Sequence, residues 1–289
     1  MSATLKAALW MSGAIVSFSS MAVAGRELGG AFDTFEIMMY RSFVGLCIVG
    51  VVLSAAGSWG QVTRRSMGTQ LVRNVAHFAG QNLWFFAVTA IPLAQVFALE
   101  FTTPLWVIVL APFVLGERLT PVRALAASLG FVGILIVARP TPDTINMGIM
   151  AAAGSAVFFS VTLMLTKRLT RSESIGCILF WLTAIQLVLG LLAAGYDGQI
   201  ALPNAEFLPW LVLVGLAGLL AHFCITNALA IAPATVVVPF DFVRLPAIAV
   251  IGMLLYNEPL DKWVLIGAMV IFFGIYLNVL AETRKNRIA

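Results

Sequence analysis

The chain has 289 residues, of which 61% are hydrophobic and 10% charged, and its mean hydropathy is +1.01. Soluble domains carry roughly a quarter charged residues, so this composition excludes a soluble globular protein and indicates one that crosses the lipid bilayer several times. The net charge of +4 indicates no nucleic-acid partner, because no basic domain lies outside the apolar stretches.

Ten apolar stretches follow one another along the chain, separated by polar residues, prolines or glycines. Most of them approach the length of about 20 residues that an α-helix needs to cross a bilayer. Because helices satisfy their own backbone hydrogen bonds in lipid, the pattern predicts an all-α membrane protein with ten transmembrane helices. The predicted spans are residues 6–25, 34–56, 70–91, 92–115, 121–138, 146–166, 174–195, 207–231, 233–256 and 263–281.

The sequence also repeats itself at a distance of 141 residues. Without a gap, this shift aligns Gly13 with Gly154, Ser19 with Ser160, Pro92 with Pro233, Glu100 with Asp241, Glu117 with Glu258 and Gly133 with Gly274. Each copy must form the same kind of unit, so we predict two five-helix repeats at residues 1–140 and 141–289. The first span resembles a signal peptide, but its glycine and serine recur in the second copy, so we expect it to be retained.

The distribution of cations predicts the orientation of the chain. If the N-terminus is cytoplasmic, twelve Lys and Arg residues lie on the cytoplasmic side and three on the other. The positive-inside rule therefore predicts that both termini are cytoplasmic. Each copy contains an odd number of spans, so the second copy is inverted relative to the first. Inverted repeats are typical of secondary transporters, whose substrate binds near the membrane midplane between the repeats.

Turns with proline connect several spans. Pro92 and Pro233 each start a span directly after the preceding one ends, which predicts tight antiparallel hairpins. Thr120 is predicted to cap the fifth span. Glu117 and Glu258 lie at equivalent span ends beside a helix N-terminus, where a carboxylate accepts from free N–H groups, so a structural role is predicted for both.

Polar side chains share one face of the third span. Arg73, His77, Gln81 and Trp84 are spaced by four, four and three residues, which places them on one side of a helix. The equivalent face of the eighth span carries His222 among small residues that allow close helix approach. We predict that the two faces line a central cavity in which His77, Gln81, Trp84 and His222 bind the substrate. The alternative is interhelical hydrogen bonding without substrate contact.

Four ionisable residues lie deep within predicted spans, namely Arg41, Glu100, Asp241 and Arg244. Such groups cost on the order of several kcal/mol unless they face a partner or a cavity. Asp241 and Arg244 are three residues apart on one helical face, and Glu100 can pair with Arg41. The alternative is that these residues, with Tyr40 beside Arg41, bind the charges of a substrate or carry a proton.

The chain contains no motif typical of a zinc protease, a phosphate-binding loop or a serine hydrolase, and no Cys or His spacing typical of a metal site. No cofactor, metal site or catalytic residue is predicted. Any driving force for transport is expected to be a gradient.

Several of these motifs resemble those of a known family. The run Ala90-Ile91-Pro92-Leu93-Ala94, the turn Gly116-Glu117-Arg118-Leu119 with its echo Asn257-Glu258-Pro259-Leu260, the spaced Gly130 and Gly133, and Arg41 in the second span are similar to those of the drug/metabolite transporter superfamily, specifically its EamA-type ten-helix exporters. Within it, the chain resembles the bacterial aromatic amino-acid exporter branch. The resemblance implies export of amino acids and related metabolites across the bacterial inner membrane.

The sequence therefore predicts a secondary or facilitative transporter, not an enzyme, that exports amino acids by alternating access. A cavity with both signs of charge beside Trp84 and Tyr40 suits a zwitterion with an aromatic or apolar side chain. The nearest alternative is another metabolite, such as a phosphorylated sugar, a nucleotide sugar or a drug cation. A membrane enzyme or scaffold is a more distant one, and proton coupling, facilitated diffusion and exchange stay open.

Overall fold

In the computed structural model the described chain comprises residues 3–115, 121–139, 146–196, 198–232, 237, 240–241 and 243–288, and it contains helices and no strands. Most of the predicted spans begin and end within a few residues of an observed helix. The helices are α1 (Ala3–Leu28), α2 (Thr34–Ala55), α3 (Met67–Ala90), α4 (Leu93–Glu100), α5 (Thr103–Leu115), α6 (Pro121–Ala138), α7 (Met147–Leu169), α8 (Ile175–Ala194), α9 (Leu208–Ile231), α10 (Arg244–Tyr256) and α11 (Lys262–Ile288).

The fourth predicted span is not one helix, because Phe101 and Thr102 separate α4 from α5. Pro104 has no N–H to give to the Glu100 carbonyl, as a continuous helix would require. The hydroxyl of Thr103 donates to that carbonyl instead, at 2.6 Å. In the equivalent span of the second repeat, α10 begins only at Arg244. Interrupted helices at membrane depth are typical of transporter binding sites.

The prediction of ten spans is confirmed with α4 and α5 counted together. Among the described residues, six helical stretches are long and apolar enough to cross a membrane by length and composition: Leu5–Leu28, Thr34–Ala55, Leu93–Leu110, Met147–Leu169, Ile175–Ala194 and Leu208–Ile231. α6, α10 and α11 contain shorter apolar stretches. α3 is long enough, but its buried polar face lowers its hydropathy.

The packing of the helices follows the repeat. The shift relates α1 to α7 and α3 to α9, and accordingly α1 packs on α9 while α3 packs on α7. The pairs α2–α8 and α6–α11 map onto themselves. Gly13 faces Cys224 across the α1–α9 contact, and the equivalent Gly154 faces Leu83 across the α7–α3 contact. This exchange is what a two-fold axis between two inverted repeats requires.

The loops lie at the two ends of the helix bundle. Each loop lies at the end that spans of alternating direction require. At one end, Thr63 donates to Glu173 at 2.7 Å, which joins the α2–α3 loop to the α7–α8 loop, and this hydrogen bond is the main cause that lowers the pKa of Glu173. At the other end, Glu27 accepts from Tyr256 at 2.9 Å, and Arg139 pairs with Asp261. Which end faces the cytoplasm stays a prediction.

The hairpin at Pro92 is present, because α3 ends at Ala90 and α4 starts at Leu93. Thr120, Glu117 and Pro233 lie outside the described residues. The cysteines Cys177 and Cys224 are free and buried, whereas Cys47 is free and exposed.

The α6–α11 contact yields a test of the packing. A Cβ atom at Gly133 would lie 2.8 Å from the carbonyl oxygen of Gly267, whereas a Cβ atom at Gly50 of α2 would meet open space. Gly133→Val should therefore lower the melting temperature in detergent by several degrees, since overpacking costs about 1–3 kcal/mol. The control Gly50→Val should leave it nearly unchanged, and equal melting temperatures for the two variants would contradict this packing.

Candidate functional site

A cavity of about 1000 Å³, including its open mouth, lies between the two repeats. Side chains of α1, α3, α7 and α9 line it, together with the α4–α5 break and the start of α10. It reaches Met11, Thr166 and Leu229, near the end of the bundle where α1 begins and α7 and α9 finish. Towards the other end, Ala22, Ala24 and Leu28 of α1 are fully buried. The cavity therefore extends towards the end of the bundle where α1 begins, and α1 is closely packed towards its other end.

A buried ion cluster lies in the cavity wall at the helix breaks. Arg244 Nη2 lies 2.8 Å from a carboxylate oxygen of Glu100 and 2.6 Å from one of Asp241. The other oxygen of Glu100 accepts from Trp84 Nε1 at 2.7 Å. The predicted Asp241–Arg244 pair is present, but the pairing of Glu100 with Arg41 is wrong, because the two breaks bring Glu100 to Arg244 instead. One guanidinium faces two carboxylates, so the cluster carries a formal charge of about −1.

Aromatic rings enclose the cation of this cluster. The guanidinium carbon of Arg244 lies 4.8 Å from the ring centre of Phe18, 4.8 Å from that of Phe97 and 5.3 Å from that of Phe101. Cation–π contacts of this kind contribute on the order of 1–2 kcal/mol where water is excluded. Arg244 is only 2% exposed, so rings and carboxylates together replace its hydration.

A second set of polar side chains connects α2, α8, α3 and α9 by hydrogen bonds. His77 Nε2 and His222 Nε2 lie 2.9 Å apart, and both residues line the cavity. His77 Nδ1 lies 2.6 Å from Gln186 Nε2, and Arg41 Nη1 donates to Gln186 Oε1 at 3.2 Å. Gly218 leaves the space that Arg41 fills, because a Cβ there would lie 2.4 Å from Arg41 Nε. The predicted faces of the third and eighth spans thus meet through their histidines.

The structure distributes the other predicted binding residues unevenly. Gln81 and Trp84 line the cavity, and Gln81 Nε2 is buried without a hydrogen-bond partner in the described chain. Arg41 lies behind the cavity wall, in contact with Gln186. Tyr40 is not part of the cavity lining, since its hydroxyl donates to the carbonyl of Ala201 in the α8–α9 loop at 2.7 Å. Seven of the nine predicted residues therefore surround one space, whereas Tyr40 and Arg41 do not line it.

Arg73 was predicted on the polar face but not as a binding residue. It is 0% exposed and donates to Thr166 Oγ1 of α7 at 2.7 Å. No carboxylate pairs with Arg73 or Arg41 in the part of the chain that the structure describes. The histidine side of the cavity is thus electropositive, and the side with the helix breaks is electronegative.

A cluster around Glu258 joins the helices at the end of the bundle where α1 and α10 finish. This carboxylate pairs with Arg26 of α1 and accepts from the backbone N–H of Leu93, at the start of α4, at 2.9 Å. Arg26 also donates to the carbonyls of Val88, at 2.7 Å, and Ile91. Glu258 thus accepts a hydrogen bond from the N-terminus of a helix, but that helix, α4, belongs to the other repeat. We call this group, Arg26, Glu258 and the α3–α4 hairpin, the end clasp.

Sequence reasoning missed Gln186 and the aromatic residues that contact the site. Gln186 is fully buried in the middle of an apolar helix, so the rule that singles out polar residues within spans could have found it. Phe18 and Phe159 line the cavity, but nothing distinguishes them from the other 18 phenylalanines in the sequence. Among the described residues, no group of three or more His, Cys, Asp or Glu side chains could hold a metal ion.

Comparison with known proteins identifies the family. The model of the EamA-like transporter family matches residues 5–139 and again residues 146–280. The chain belongs to the EamA-like transporter family. A solved crystal structure, 19% identical and covering 96% of this chain and 98% of its own, superposes with a TM-score of 0.68, which shows the fold alone.

Named relatives of this EamA protein are transporters of small metabolites. The chain is 28% identical to a riboflavin transporter of Vibrio cholerae over 98% of this chain and 96% of the relative. It is 32% identical to a riboflavin transporter of Rhizobium johnstonii over 75% and 72% of the two chains. It is 25% identical to an S-adenosylmethionine uptake transporter of Rickettsia felis over 96% and 95%. The superfamily resemblance is thus confirmed, and the aromatic amino-acid exporter branch is not.

The protein is a multi-pass bacterial membrane protein and a transporter of a small metabolite. Its cavity lies between the repeats, where transporters of inverted-repeat architecture bind substrate. The identity of that metabolite, and the part that each predicted residue plays in binding it, stay predictions.

The ion cluster provides the second test. Arg244→Leu leaves Glu100 and Asp241 facing each other, and an unpaired buried charge costs about 3–5 kcal/mol, so this variant should melt well below wild type. Adding Glu100→Gln and Asp241→Asn should restore most of the lost melting temperature in detergent. The exposed Arg171→Leu is the matched control and should melt like wild type. If the triple variant is no more stable than Arg244→Leu, the pairing is not what stabilises the helix breaks.

Proposed function

We propose that this EamA protein carries a flat, aromatic metabolite with hydrogen-bonding edges, of the riboflavin class, across the bacterial membrane. The observation that carries the proposal is the composition of the cavity wall. Phe18, Trp84, Phe101 and Phe159 supply aromatic surface, and His77, His222 and Gln81 supply hydrogen-bonding groups without a net charge. Aromatic rings stack on such surface, and polar groups at its margin set the orientation of the ligand.

The named relatives support a cargo of this class. Two are riboflavin transporters, one matched over 96% and the other over 72% of its length, and the S-adenosylmethionine transporters also carry a molecule with an aromatic heterocycle.

Export of amino acids is the second candidate. The specific observation in its favour is the cluster of Glu100, Asp241 and Arg244, which offers both signs of charge at one side of the cavity. Asp241 Oδ1 is buried and lacks a hydrogen-bond partner in the described chain, so it could receive an ammonium group. An aromatic amino acid would then place its ring against Trp84. This candidate predicts competition by L-tryptophan or L-phenylalanine.

We infer that the end clasp closes the cavity at the end of the bundle where α1 finishes, and that this contact must break for the cargo to pass. It joins α1 and the α3–α4 hairpin of one repeat to the end of α10 in the other. Rocking of one repeat against the other about the cavity would separate these partners. The same motion would narrow the opposite end.

Accessibility measurements test the clasp. Glu258→Gln removes the charge that holds Arg26, so a cysteine introduced at the cavity residue Met21 should become about tenfold more reactive towards an impermeant maleimide applied from the closed end. The native Cys47, Cys177 and Cys224 are replaced first. Glu206→Gln changes an exposed carboxylate in the α8–α9 loop and should have no effect. Equal reactivity in both variants would mean that the clasp does not close the cavity.

The cargo is tested with purified protein in proteoliposomes of determined orientation. Radiolabelled riboflavin, S-adenosylmethionine and L-tryptophan are offered separately, with and without a pH gradient, and protein-free liposomes are the control. We expect saturable riboflavin flux that excess unlabelled riboflavin abolishes. Saturable tryptophan flux without riboflavin flux would favour the amino-acid candidate. Absence of flux for both riboflavin and L-tryptophan would contradict both assignments.

A further inference from the structure

A buried arginine determines which way a chain of four side chains is hydrogen-bonded. Arg41 can only donate, so the Gln186 atom that it contacts at 3.2 Å must be the amide oxygen. The amide nitrogen of Gln186 therefore faces His77, where it lies 2.6 Å from Nδ1. An amide nitrogen also can only donate, so His77 Nδ1 must accept and carries no proton.

The same reasoning fixes both histidine tautomers. With Nδ1 accepting, the single proton of His77 is on Nε2, and this N–H points at His222 Nε2, which lies 2.9 Å away. His222 Nε2 must then accept, which leaves Nδ1 as its one protonated nitrogen. A second proton on either ring would place two donors face to face in one of these contacts, so both rings are neutral.

We propose that Gln186, held by Arg41, makes His222 present its Nδ1–H to the cavity, so that the cargo must offer a hydrogen-bond acceptor there. His222 lines the cavity, and the structure gives its Nδ1 no partner within the described chain. The direction of these hydrogen bonds cannot reverse, because the Arg41 guanidinium at the start of the series can only donate. The carbonyl or imine nitrogen of a heteroaromatic ring, or a carboxylate, satisfies this donor.

Gln186 acts here as a positioning residue, since it does not line the cavity. It is 0% exposed, and its neighbours Arg41 and His77 are 4% and 2% exposed, so water does not compete for their hydrogen bonds. Arg73, the other cation near the histidines, is buried on α3 and donates to Thr166. The inference rests on the proposed transport of a cargo through this cavity.

The tautomers are measured directly by nitrogen NMR. The chain contains only two histidines, so protein labelled with ¹⁵N-histidine and purified without a histidine tag gives two imidazole spin systems, which a His222→Asn sample assigns. At neutral pH we expect His77 as the Nε2–H tautomer and His222 as the Nδ1–H tautomer. The opposite pair of tautomers, or a protonated ring, would overturn the proposal. This readout requires no cargo, so it can fail or succeed independently of the proposed function.

The variant Gln186→Glu tests the role of Gln186. A carboxylate accepts from both neighbours, so His77 should move its proton to Nδ1 and the whole chain should reverse. His222 would then turn a lone pair to the cavity. We expect the apparent KM for riboflavin to rise about tenfold or more, with Vmax changed less than twofold, because loss of a hydrogen bond to a buried donor mainly weakens binding.

The controls separate this effect from misfolding. Gln61→Glu makes the same chemical change in the exposed turn at Trp59–Gln61 and should leave KM and both tautomers unchanged. An unchanged His222 tautomer in Gln186→Glu, or an unchanged KM with reversed tautomers, would overturn the proposal. If Gln186→Glu does not fold, the wild-type spectrum still decides between the two directions of the chain. Absence of riboflavin flux in the wild type would instead contradict the proposed function.

Discussion

Arg244 lies between the carboxylates of Glu100 and Asp241 at the point where two membrane helices are interrupted. An interrupted helix exposes backbone groups that lipid cannot satisfy, and an unpaired charge at this depth would be costly as well. The structure meets both requirements in one place. Thr102 and Thr103 satisfy carbonyls at the break, and Arg244 pairs with both carboxylates. The remaining charge leaves this wall of the cavity electronegative.

The opposite wall has the reverse polarity, although its histidines are neutral. Arg41 and Arg73 stand behind it, and their partners in the described chain are neutral side chains. Neither arginine lines the cavity, so their positive potential acts on it from behind the wall. A cargo between the two walls meets aromatic surface, hydrogen-bond donors on one side and carboxylates on the other. This arrangement can discriminate between molecules of similar size by the placement of their polar groups.

Much of this architecture could be predicted from the sequence, because the repeat and the apolar pattern are strong signals. Counting spans between the copies gave the inversion, and the contacts α1–α9 and α3–α7 obey it. The spacing of His77 and Gln81, and the equivalent face with His222, predicted the two helix faces that meet at the cavity. These predictions succeeded because a polar residue in lipid needs a specific reason to be there.

The failures concern partners rather than positions. Glu100 pairs with Arg244 because the chain breaks after Glu100, and Pro104 alone did not indicate that a break would bring two repeats together. Tyr40 turned out to contact Ala201, a loop residue that no helical pattern places. Glu258 was understood locally as a carboxylate at a helix end, whereas its partners come from the other repeat. Tertiary contacts of this kind depend on distances that one-dimensional spacing does not contain.

The most direct test of the account is an experimental structure determined with riboflavin bound. The account predicts ligand density between the helix breaks and the histidine pair, with the ring system against Trp84 and an acceptor atom within hydrogen-bond distance of His222 Nδ1. Density for the ligand at any other place, with this cavity empty at saturating riboflavin, would contradict it.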